Sequence, residues 1–139
     1  MKTTDPVAFS NLCRLVFGYA GSQVVYAAVR LGVPDALAAG PVPVDEMAHR
    51  LGCDPEGLTR LLAALVVHGI VEEVAPGQVA LAAAAEPLCA DHPRSIRAGV
   101  LLLGAPEMWR AWGALAHGVR TGEAAFDHVH GRPLFGPDR

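Results

Sequence analysis

Few side chains in this sequence have types and spacings that bear on chemistry. Trp109 and Trp112 stand three residues apart, with Met108 beside them, on what the periodicity predicts to be one helical face. Tryptophans so placed are more often core or interface groups than ligand contacts, because each carries a large apolar surface. Asp127, His128 and His130 cluster a carboxylate with two imidazoles. An i, i+2 histidine pair in a loop suits a metal only if further ligands join it, and the sequence offers no third and fourth. Solvent-exposed side chains are the plainer reading. Cys13, Cys53 and Cys89 are odd in number and too widely spaced for a CxxC knuckle or a disulfide framework, so they read as buried free thiols. His117 falls on the side of its helix away from Trp112 and reads as a surface residue. His68 precedes a helix-ending glycine, where a cation suits the helix dipole. The sequence has neither a Gly-x-Ser-x-Gly elbow nor a His-Glu-x-x-His helix, and no nucleophile pairs with a base. No autonomous reaction follows from these residues.

The chain that must position them has 139 residues, 52% hydrophobic and 18% charged, with a net charge of −3. That is enough for one domain with a real core and too little for two full domains. It is too apolar to stay disordered. The longest purely apolar run, Val79 to Ala85, falls far short of the ~20 residues that span a bilayer. Lys2 is followed by Thr3, Thr4, Asp5 and Pro6 rather than by an apolar leader. The expectation is a soluble, cytoplasmic chain with no membrane contact. Eleven Lys and Arg stand against 14 Asp and Glu, so the basic excess of a nucleic-acid binder is missing.

Hydrophobic spacing predicts two helices at the start. The first covers residues 7–19, with Leu12, Leu15, Val16 and Tyr19 as its stripe. The second starts at Ser22 as N-cap and stops at Gly32. Its Val24, Val25, Ala28, Val29 and Leu31 are apolar on both sides, which suits packing against several partners, a second chain included. Leu31 to Asp35 forms a turn, and a short helix begins at Asp35. Residues 42–82 are the most legible. A helix from Asp45 to Leu51 ends at Gly52. Asp54-Pro55 then supplies an N-cap and a first-turn proline for a helix through Leu58, Leu61, Leu62 and Leu65 to Gly69. Strands 70–74 and 79–81 follow, joined by a turn, and the whole reads as a winged helix. Within 45–69, Asp45, Glu46, Asp54 and Glu56 outweigh Arg50 and Arg60, the wrong balance for a groove lined by phosphates. Residues 86–122 read as further helices, including 86–90, 94–103 and a strong one from Pro106 to Gly122. Residues 123–139 read as loop.

This order of motifs resembles the N-terminal dimerisation domain of S-adenosylmethionine-dependent O-methyltransferases, in their bacterial natural-product, anthracycline-type branch. Four segments carry the likeness: Ala28 to Asp35; Asp45 to Leu51 with Leu58 to Glu73; Trp112 to Gly122; and Ala125-Phe126 with His130 to Phe135. Together they cover residues 7–136. The resemblance implies a mainly α fold with a winged-helix subdomain and no Rossmann domain. It implies a homodimer whose first helices interleave through Leu12, Leu15, Val16, Tyr19, Val24, Val25, Ala28 and Val29. It also implies that Trp109, Trp112, Met108 and Phe126 face an aromatic acceptor. His130 stands where the family has a tyrosine-like residue, and is either exposed or a polar group of the same cavity. The family's glycine-rich cofactor loop follows a strand. Gly18 and Gly21 have no strand before them, so no S-adenosylmethionine site is expected in this chain, and no catalytic residue or metal. The leading expectation is a dimerisation and substrate-side module of secondary metabolism. The alternatives are one half of a split methyltransferase, a small-aromatic-ligand binder or cofactor-free cyclase, and, least favoured, a winged-helix regulator.

Overall fold

A computed structural model describes residues 5–136. Lys2 to Thr4, read above for a leader, and the last three residues of the expected loop lie outside the described residues. The elements run α1 (Pro6–Leu31), α2 (Val33–Leu37), β1 (Val42–Pro43), α3 (Val44–Leu51), α4 (Pro55–Val67), β2 (Val71–Ala75), β3 (Gln78–Leu81), a 3-10 helix (Ala83–Leu88), α5 (Arg97–Leu103), α6 (Pro106–Gly113), α7 (Leu115–Thr121) and α8 (Ala125–His130). They divide into two compact units, Met1–Val100 and Leu101–Arg139. The chain is mainly α, and the described residues hold no Rossmann fold.

In the first unit, α1 opens with the Asp5 side chain accepting the Val7 N–H at 3.0 Å and with Pro6 in the first turn. It is one continuous helix, which corrects the expected break at Ser22. Ser22 is no N-cap; its hydroxyl donates to the Gly18 carbonyl at 3.3 Å inside the helix. The two interior glycines weaken α1 but do not end it, and Gly21 has a packing reason. A Cβ there would meet the His68 ring at 3.2 Å, so glycine lets α1 lie close to the end of α4. Gly32, at φ 86°, ends α1 as expected, its N–H donating to the Ala28 and Val29 carbonyls.

The winged helix takes the expected form. Asp54 caps α4 by accepting the Gly57 N–H at 2.7 Å, and Gly52 closes α3 in the left-handed region. The sheet is antiparallel with order β1-β3-β2, pairing Val42 with Val79 and Val71 with Leu81. Strand β1 is an addition to the expected hairpin. Pro43 has no N–H to donate and is tolerated because β1 lies at the sheet edge. Ala28, Met47 and Leu65 are wholly buried, and Val33, Leu58, Leu62, Val71 and Val79 complete the core around them. The short helix expected at 86–90 is instead the 3-10 helix, with Pro87 inside it. The helix expected from residue 94 begins at Arg97.

In the second unit, the single helix expected from Pro106 to Gly122 is broken at Ala114, at φ −95° and ψ 9°. Gly113, a poor helix former, immediately precedes the break. The expected loop after residue 123 is also corrected, since Ala125–His130 is helical. Asp127 near its N-terminus, His128 and His130 near its C-terminus and a left-handed Gly131 agree with the helix dipole and a glycine stop.

Candidate functional site

Three surfaces come into question, and α1 carries the largest. Over its N-terminal half Val7, Phe9, Leu12, Leu15, Val16, Phe17 and Tyr19 all project outward, with Leu15 81% exposed. Val24 and Val25 are half-buried. Ala28 and Val29 have no exposed surface within their own chain. Their expected place at a dimer interface is therefore corrected, because this chain already covers them. Its most apolar 18-residue window has a mean hydropathy of 1.3, so α1 is also long and apolar enough to cross a membrane by length and composition. Dividing the segment at Ser22 hid that property.

The second surface gathers the expected acceptor-side residues. Met108, Trp109 and Trp112 lie on α6, Phe126 and His130 on α8, and these two helices pack together. The Phe126 and His130 rings lie 4.4 Å apart and tilted by 43°. His130 Nε2 is 2.9 Å from the Glu107 carbonyl, which ties α8 to the first turn of α6. Met108, Trp109, Phe126 and His130 are half-buried, whereas Trp112 is 65% exposed. The sequence cluster Asp127, His128, His130 is split, because residues two apart on a helix face different ways. His128 instead stacks on His117, ring centroids 3.5 Å apart, beside Glu123. His117 and Glu123 were missed as partners of His128. The loop reading of 123–139 hid the helix that brings His128 back onto α7.

The third is a cleft of about 570 Å³ in the first unit, whose lining includes Leu37, Gly40, Glu86, Cys89, Asp91 and His92. None of the five expected acceptor-side residues lines it. Burial pushes the Cys89 thiol above its ordinary value, and the carboxylates of Asp35, Glu86 and Asp91 add to this. The thiol is 3.4 Å from the Pro34 carbonyl, to which it donates. Asp35 accepts the Ala90 N–H at 2.8 Å and pairs with Arg97, which fastens the segment after the 3-10 helix to α2. These contacts give Cys89, Asp35 and Arg97 a structural role beside the cleft.

The family model of the O-methyltransferase dimerisation domain matches residues 13–91. The chain belongs to this family. Among relatives of this dimerisation domain, 3-amino-4-hydroxybenzoate 4-O-methyltransferase of Streptomyces cremeus is 40% identical over 135 residues, 96% of this chain and 37% of its own length. Phenazine O-methyltransferase of Lysobacter antibioticus is 34% identical over 91% of this chain and 37% of its own. Among solved structures, the N,N-8-amino-8-demethyl-D-riboflavin dimethyltransferase of Streptomyces davawensis superposes with a TM-score of 0.86 at 35% identity, over 91% of this chain and 38% of that one. The dimerisation domain thus spans a little over a third of the length of the relatives it matches.

Proposed function

We propose that this domain is the homodimerisation and acceptor-side module of an O-methyltransferase of secondary metabolism, and that its S-adenosylmethionine site is supplied by polypeptide other than residues 1–139. The exposed apolar half of α1 carries this reading. A helix with Leu12, Leu15, Val16 and Tyr19 open to water gains stability when a second copy covers them, and stable obligate interfaces are large and apolar. The acceptor side rests on Met108, Trp109, Trp112 and Phe126, whose flat or adaptable apolar surfaces suit an aromatic ring. The aromatic acceptors in the names of two relatives, a hydroxybenzoate and a phenazine, point to the same class.

Light scattering after size exclusion tests the first part. The expected mass is twice the chain's 14.5 kDa, and a clean monomer at micromolar concentration overturns the reading. For the second part, titrating phenazine into the protein should quench tryptophan fluorescence saturably, and Trp112→Ala should weaken the effect. Calorimetry with S-adenosylmethionine should give no heat of binding for the 139-residue chain; saturable binding would place the cofactor site here after all.

A further inference from the structure

We propose that His117, Glu123 and His128 form a binding site for a divalent transition metal of the zinc class. The donors are two imidazoles and one carboxylate, a set that zinc takes readily with a water as fourth ligand. His117 Nε2 lies 2.9 Å and His128 Nδ1 3.6 Å from the same Glu123 oxygen, and the three ligand atoms fall within 4.8 Å of one another. Metal–ligand bonds of about 2.0–2.2 Å in a tetrahedron need ligand atoms roughly 3.3–3.6 Å apart. The cluster is therefore within a small adjustment of a ligand set.

The backbone between α7 and α8 holds these groups in place. Gly118 has no side chain where a Cβ would sit 2.9 Å from the Glu123 carbonyl oxygen, and Gly122 turns the chain at φ 78°. The Thr121 hydroxyl donates to the His117 carbonyl at 3.0 Å and accepts the Glu123 N–H at 3.1 Å. This links the two ligand-bearing positions through one side chain. A bound ion would join α7, the turn and α8. One movement is required: the imidazoles are stacked only 14° from parallel, so their lone pairs do not yet converge. His117 is part-exposed and His128 is exposed, which leaves the rings room to tilt.

Titration of the 139-residue chain with zinc, followed by calorimetry, tests the site. One ion per chain should bind with a Kd in the micromolar range or below and raise the melting temperature. His117→Ala, His128→Ala and Glu123→Gln should each weaken binding by more than about tenfold. Thr121→Val should weaken it less, since it only positions Glu123. These are surface changes, and far-UV circular dichroism and metal-free melting check that each variant stays folded. Cobalt substitution adds an independent readout, with d–d absorption expected and no thiolate-to-metal charge-transfer band. No saturable binding, binding that survives both histidine substitutions, or a thiolate band assigning the ion to a cysteine each overturns the proposal.

Discussion

Gly32 ends α1 at φ 86°, a conformation that costs an L-residue with a Cβ about 1–2 kcal/mol. A Cβ there would touch only Leu51 at an ordinary 3.7 Å, so Gly32→Ala should cost that backbone strain and little else. Urea unfolding should show a loss of roughly 1–2 kcal/mol with an unchanged m-value. At Cys89 the effect depends on pH. Burial and three carboxylates raise its folded-state value above the ordinary 9.0, so the unfolded chain loses this proton first. Its contribution to stability is complete below 9.0 and fades as pH rises through the higher folded-state value. The stability gap between wild type and Cys89→Ala, measured by urea unfolding from about pH 8 to about pH 10.5, should shift against the wild type as pH rises. Residues acting on near neighbours were legible in the sequence: Asp54, Pro55, Gly52 and Gly32 do what their types and positions imply. The His117–Glu123–His128 group was not, because it exists only once α8 folds back onto α7.

At the scale of elements, the winged helix and α1 call for opposite readings. In the winged helix both arginines, Arg50 and Arg60, face a glutamate one turn earlier, at 3.7 and 3.9 Å. Pairs this exposed add little stability, yet they offset the cations that a phosphate backbone would need. Glu72 and Glu73 on β2 add exposed negative charge. This charge balance favours a scaffold packed around Met47 and Leu65 over a phosphate-binding surface. In the N-terminal half of α1 the apolar side chains point outward, and the element's length was misread because a serine preceded by glycines looks like a cap. Seen from sequence, the glycine at 21 looks like a break; its contact with His68 depends on a residue 47 positions later, beyond any local pattern. Because Leu15 is already 81% exposed, Leu15→Glu should change the stability of an isolated chain by no more than about 0.5 kcal/mol. If a second copy covers this face, the substitution buries an unpaired charge there, which such an interface does not tolerate. Light scattering should therefore report a monomer of 14.5 kDa with an unaltered circular dichroism spectrum. A dimer that survives Leu15→Glu would move the interface away from this face of α1.

For the whole molecule, a second copy on the outward apolar face of α1 would couple assembly to folding, because the other end of the same helix is buried near Ala28 and Val29. The same helix that seals the first unit's core at one end presents Leu12, Leu15, Val16 and Tyr19 at the other. Whatever covers the outer half also restrains the inner half, so dissociation removes support from the core. If the folded form is a dimer, unfolding separates two chains, and mass action makes the melting temperature depend on concentration. Each tenfold dilution removes about 1.4 kcal/mol per dimer, which, set against the unfolding entropy of both chains, lowers the melting temperature by roughly 2–3 °C. Differential scanning calorimetry from about 5 µM to about 500 µM should therefore show a steady upward drift in the wild type. Leu15→Glu should melt lower and at a fixed temperature across the same range. A concentration-independent wild type would mean that the chain folds without a partner and that the face of α1 serves another contact.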